Sequence, residues 1–146
     1  MPIRLATRAV IVEEGRLLLV NAYARGSDLW CAPGGGAEPH ASLPENLARE
    51  VREETGLEIS VGAPCLINEF HAPGGDLHQV DLYFRCRVTG GALSDDWKDP
   101  EGIVSRRRFF APEELAGIRL KPDSLPEVAF GEAGAVWYDP LEPIVG

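Results

Sequence analysis

Glu50, Glu53 and Glu54 stand at i, i+3 and i+4, a spacing that makes them neighbours on one stripe of a helix. Like charges set side by side repel, and a helix gains nothing from them unless positive charge sits above. A hard divalent cation with oxygen ligands, Mg²⁺ or Mn²⁺ above all, suits that role. Arg49 flanks the stripe and can pair with Glu53 one turn on. The plainer explanation of a Glu/Arg-rich amphipathic helix is a solvated face, and the helix taken alone leaves that open.

The segments that must hold these carboxylates are written around them. Ser42 and Glu45 form an S-x-x-E capping box, and Pro44 falls in the first turn, where its missing N–H does little harm. Gly56 is the natural residue just past the C-terminus. These signals predict a helix from Leu43 to Thr55, roughly 20 Å long. Leu47, Ala48 and Val51 fall on a different side and are expected to face the core. Upstream, Pro33 leads into Gly34, Gly35 and Gly36, a backbone free to approach a ligand closely with its amides or carbonyls.

The stretch Pro33–Leu57 closely resembles the Nudix box, Gly-x5-Glu-x7-Arg-Glu-U-x-Glu-Glu-x-Gly-U, with U a bulky aliphatic residue. Gly35, Arg49, Glu50, Val51, Glu53, Glu54, Gly56 and Leu57 match at the correct spacing. Ala41 stands where the family carries Glu, and His40 replaces a glycine that often precedes it. The resemblance implies one MutT-like Nudix hydrolase domain over residues 1–146, with the box at about 35–57. The implied fold is an α/β/α sandwich, a mixed sheet with helices on both faces and the loop–helix–loop of the box. It implies metal-dependent hydrolysis of a pyrophosphate bond in a nucleoside diphosphate linked to another moiety, with Mg²⁺ or Mn²⁺ as cofactor. On the matching positions it makes Glu50, Glu53 and Arg49 catalytic, with Arg49 orienting a glutamate rather than touching substrate. It makes Glu50, Glu53, Glu54 and the carbonyl of Gly34 the metal ligands. The Glu that Ala41 replaces supports loop–helix geometry in the family, so its loss keeps an alternative alive: a nucleotide-binding or regulatory module with weak or no catalysis. ADP-ribose, oxidised nucleoside triphosphates, dinucleoside polyphosphates and sugar nucleotides all remain open as substrates, and a homodimer is compatible with the family.

Length and composition fit this frame. A chain of 146 residues suits one core. The net charge of −9 argues against a nucleic acid polymer or an anionic membrane as partner. Cys31, Cys65 and Cys86 form no C-x-x-C pair and read as reduced thiols of a cytoplasmic protein. The N-terminal stretch has no apolar signal region, and no run approaches a membrane span.

Taken in order, 3–13 and 16–22 read as a hairpin turning at Glu14-Gly15, and 23–31 as a loop. After the helix come strand segments at 57–61 and 63–71, a tight loop at 72–76, and an alternating strand at 79–88. A glycine-bearing acidic loop reaches Glu101. A short strand at 105–110, a helical turn at 112–116 and a helix at 122–130 follow, then a Gly/Pro-rich tail. Arg25 can reach a phosphate, and Trp30 or Tyr23 can stack on a base, although half-buried loop aromatics are more often core anchors. The general base is a box glutamate, Glu50, or a residue from a later loop. Glu101 leads a group that includes Glu69, Asp76, Asp81, Asp95 and Asp96, with His71 and His78 as outsiders. Asp81 alternates with Val80 and Leu82 and is expected to face water. Arg106, Arg107 and Arg108 read as sheet-edge or ion-paired residues in preference to a phosphate patch.

Overall fold

The computed structural model describes residues 2–23 and 26–145. Its first two apolar runs form the expected hairpin, β1 (Arg4–Glu13) and β2 (Arg16–Asn21). Glu14 and Gly15 between them have φ of 51° and 73°, the positive values that match a two-residue turn to strand twist. Two very short strands follow, β3 (Leu29–Cys31) and β4 (Gly34–Gly36), then helix α1 (Leu43–Thr55). The chain continues through β5 (Glu58–His71), β6 (His78–Gly90), β7 (Arg107–Phe110), a 3₁₀ turn (Pro112–Gly117) and β8 (Arg119–Leu120). Helix α2 (Leu125–Phe130) and the short tail strands β9 (Trp137–Tyr138) and β10 (Glu142–Pro143) complete it.

β1 is the axis of the sheet. One edge runs parallel to β6 from Arg4↔Gln79 to Ile11↔Cys86. Its other edge is shared: Ala6, Thr7 and Arg8 pair with β4, and Val12 and Glu13 pair with β2. The sheet therefore extends from β1 in two directions. One branch continues through β6 to β5 and the tail strands; the other runs through β2 to β3, β7 and β8. Successive β1 side chains point to opposite faces. Ala9 and Ile11 meet Leu47 and Val51 of α1 on one face. Val10 meets Leu115 of the 3₁₀ turn and Leu125 and Val128 of α2 on the other. Helical elements thus cover both faces of a mixed sheet, as expected. Full burial of an aliphatic side chain contributes about 1.5–3 kcal/mol, so Leu47 and Val51, both wholly buried, fix α1 against the sheet.

Some boundaries differ from expectation for local reasons. Ala48 is only half-buried, because Leu47 and Val51 occupy the contact. The two segments after α1 are one strand, whose register against β6 shifts on either side of Pro64, a residue without an N–H for the ladder. β7 starts at Arg107, since the Ser105 and Arg106 amides donate to the Asn21 side chain at 2.9 Å. The segment expected to be a loop closes with β3, paired to β2 through Val20↔Cys31. Among the described residues no helix is long and apolar enough to cross a membrane.

Candidate active site

Helix α1 is held at both ends by the residues its sequence supplies. The Glu45 amide donates to Ser42 Oγ at 3.1 Å, and the Ser42 amide donates to Glu45 Oε1 at 3.2 Å. Gly56 takes φ 77° and its N–H closes on the Arg52 carbonyl, a left-handed position that favours glycine. Arg107 Nε donates to the Glu54 carbonyl at 2.8 Å, and Trp97 Nε1 donates to the Glu53 carbonyl at 2.8 Å. These donors satisfy carbonyls that a helix end leaves free. Buried Asn46 ties down the preceding turn. Its Oδ1 accepts from the Glu38 amide at 3.0 Å, and its Nδ2 donates to the Ala41 and Ser42 carbonyls at 3.3 and 2.9 Å. The turn that carries Ala41 is therefore fixed from the helix side.

The carboxylate stripe is built as expected but is not gathered to a point. Arg49 Nη1 lies 3.3 Å from Glu50 Oε1 and 3.5 Å from Glu53 Oε1, and Nη2 lies 3.7 Å from Glu38. Glu54 Oε1 instead accepts from the Gly34 amide at 3.0 Å. The expected role of Gly34 was its carbonyl; here its amide makes the contact. Glu50 is 9% exposed, with its carboxylate against Gly35, where a Cβ would stand 2.6 Å away. Glycine at that position makes room for the side chain. Among the described residues, no three His, Cys, Asp or Glu side chains converge on one metal position; Arg49 bridges Glu50 and Glu53, while Glu54 turns to the Gly34 amide.

The electrostatics still fit a cation. Burial pushes the Glu50 carboxyl above its ordinary range; Arg49 opposes this, and Glu53 and Glu101 add to it. Burial pushes Glu54 up to about 8, against the influence of Arg8 and the Gly34 amide. Burial outweighs the nearby arginine at each of these two carboxyls, and an all-oxygen donor set suits a hard divalent ion.

Glu50, Glu54 and the Gly34–Gly36 run line one side of a cleft of about 780 Å³. Glu101 lines it too, on a loop organised by Asp99, whose side chain accepts from the Glu101, Ile103 and Val104 amides. Tyr23 borders the cleft, with its hydroxyl donating to the Val145 carbonyl at 2.8 Å. Glu53 and Arg49 stand beside the cleft rather than among its walls. Trp30 does not face it: its ring meets Phe110 edge-on at 4.9 Å, and the Arg106 guanidinium lies 4.7 Å above it. That is the core-anchor role. Arg25 lies outside the described residues. Arg107 and Arg106 are engaged by backbone carbonyls and Arg108 by Glu114, so the arginine run is structural.

The polar floor of the cleft was not read from the sequence. Asp81, expected to face water, is 3% exposed. Its Oδ2 lies 3.4 Å from Arg8 Nε, and its Oδ1 accepts from Gln79 Nε2 at 2.7 Å. Gln79, Asp81 and Tyr83 occupy one side of β6 and line the cleft with Arg8 and Asn68. Alternation along β6 puts these residues on one face; nothing local said that this polar face is the covered one. The remaining candidate bases are elsewhere. Glu69 is bound to Tyr138 and His78, the His71 and His78 rings stand together, and Asp76, Asp95 and Asp96 are exposed.

Comparison with known proteins bears on the family and the fold. The family model described as NUDIX domain matches residues 2–129. A MutT-like protein of Streptomyces ambofaciens is 31% identical over 76% of this chain and 70% of its own length. The rat diphosphoinositol polyphosphate phosphohydrolase 2 is 32% identical over 73% of this chain and 55% of its own. The chain spans about half the length of several curated relatives it matches. Among solved structures, an ADP-ribose pyrophosphatase from Streptococcus suis superposes with a TM-score of 0.69 at 25% identity, covering 94% of this chain and 100% of that one.

Proposed function

From the premise that this chain belongs to the Nudix family, we propose that it is a metal-dependent pyrophosphohydrolase acting on a nucleoside diphosphate linked to another moiety. The observation that carries this reading is that Glu50 and Glu54, one turn apart on one carboxylate stripe, share a single cleft with the glycine run and Glu101. Glu50, Glu53 and Glu54 would hold the cation, with the Gly34 carbonyl as a further oxygen. A bound Mg²⁺ or Mn²⁺ supplies positive charge against the phosphate oxygens and lowers the pKa of water.

The chain's own residues do the rest. Arg49 orients Glu50 and Glu53 and keeps their mutual repulsion in check. Glu50 takes the proton of the attacking water. A bound cation would keep Glu50 ionised, as a proton acceptor must be. Glu101 is the second candidate for that proton, from the facing loop. Asn46 maintains the turn in which Ala41 replaces the expected Glu, which favours catalysis over a binding-only module.

A panel of nucleoside diphosphate derivatives assayed with Mg²⁺ and with Mn²⁺ tests the proposal. Metal-dependent release of a nucleoside monophosphate or phosphate is the expected result, abolished by chelation. Glu53→Gln is expected to lower kcat at least about a hundredfold with the fold intact by circular dichroism. Near-normal turnover in that variant would remove Glu53 from the site.

A further inference from the structure

The cleft runs across the sheet. Ala6 pairs with Gly36 on one side and with Asp81 on the other, and Asp81 pairs with Asn68. Three strand spacings, roughly 14 Å, therefore separate the glycine run from Asn68. That span is long enough to place a pyrophosphate beside the carboxylate stripe and a nucleoside over β5 and β6.

The floor at that far end has a defined polarity. Gln79 is 4% exposed and Asn68 3%. Asp81, held beside Arg8, is an acceptor, so Gln79 must turn its Nε2–H toward it. Asn68 must likewise turn Nδ2–H toward Asp139 Oδ2 and Glu142 Oε1, at 3.0 and 3.1 Å. Asp139 is itself fixed as an acceptor by the Ser124 hydroxyl. The carbonyl oxygens of Gln79 and Asn68 are left over, without a hydrogen-bond partner among the described residues, on side chains that line the cleft. Both amide orientations are dictated by carboxylates rather than free to flip. Neither oxygen is sealed from solvent, so a ligand entering the cleft can meet both with donors.

Resting on the pyrophosphohydrolase reading, we propose that this floor is a nucleobase subsite selecting a base with an exocyclic amino group. Phe70 pairs with Gln79 across the strands, and Leu77 and Ile144 also line the cleft. These apolar neighbours suit a flat ring better than a sugar, whose hydroxyls need acceptance as well as donation. A base with a keto oxygen in place of the amine sets acceptor against acceptor and leaves both sides unpaired.

Matched pairs test this directly: CTP against UTP and ADP-ribose against its hypoxanthine counterpart. Each is measured by hydrolysis and, in chelator without metal, by calorimetric binding. The amino member of each pair is expected to exceed the keto member by on the order of tenfold or more in kcat/KM and in affinity. Gln79→Met and Asn68→Leu, checked for folding by thermal melt, are each expected to bring that ratio down to about threefold or less. Wild-type protein that treats both members alike overturns the proposal, whether or not the variants fold. So does a ratio unchanged in both folded variants. Amino-selective binding without hydrolysis supports the subsite and overturns the catalytic reading alone; hydrolysis without selectivity does the reverse.

Discussion

Two regions line the same cleft and are held by opposite means. The loop and helix from Pro33 to Gly56 are fixed largely by contacts within a few residues: the Ser42–Glu45 box, the Asn46 clamp on 38–42, the Arg49 pairs and the Gly56 cap. The floor on β1, β5 and β6 is fixed by contacts far apart in sequence. Arg8 meets Asp81 across 73 positions and Asn68 meets Asp139 across 71. The first region can move a carboxylate without disturbing the sheet, whereas the second has its charges inside the packing. Damage to the loop–helix is therefore expected to appear mainly in turnover, and damage to the floor mainly in stability.

The largest effect that would break this contrast is at Asp81. Asp81→Ala leaves the mostly buried Arg8 charge without its partner and is expected to cost about 3 kcal/mol of unfolding free energy in urea titrations. A loss below about 1 kcal/mol would show that the floor is no more coupled to the fold than the loop.

Next in size is a pH effect on the metal-free protein. Glu54 has a folded-state pKa of about 8, well above its ordinary 4.5. The folded state then holds a proton that the unfolded chain has released, and stability falls as pH rises from about 4.5 to about 8. The expected decline is on the order of a few kcal/mol, with about 5 kcal/mol as its ceiling. Thermal melts in chelator should show it, Glu54→Gln should flatten it, and Mn²⁺ should restore stability at the alkaline end.

A smaller change separates chemistry from folding. Gly35→Ala puts a methyl group into the space of the Glu50 carboxylate, which can swing aside. A fall in kcat of about tenfold is expected, with a melting temperature within about 2 °C of wild type. The smallest effect is Ser42→Ala, which removes one half of the capping box for about 1 kcal/mol of stability and little change in KM.

The same division decides what can be read from the chain before folding. Helix α1 was legible to its terminal residues, because Ser42, Glu45, Pro44 and Gly56 act on their immediate neighbours. The Glu14-Gly15 hairpin was legible for the same reason. β4 was not, since three glycines carry no side-chain pattern and pair with β1 only through backbone. Asp81 was misread because alternation ranks residues by face but not by which face is covered; the tail segment reaching Asn68 settles that. Trp30 stands between these cases, its aromatic character plain and its direction set by Phe110, eighty positions away.

One contact at the end of α1 has an optical consequence. The Trp97 indole donates to the Glu53 carbonyl and lies against Gly56, where any Cβ would stand 2.9 Å from the ring. That indole is tied to the backbone of the turn that carries Glu53 and Glu54, while Trp30 sits under Arg106 and Trp137 lies on the exposed tail strand. The protein thus carries its own emitter on the ridge where charge would change during turnover, and fluorescence in a Trp30→Phe/Trp137→Phe background would follow that ridge without an added dye.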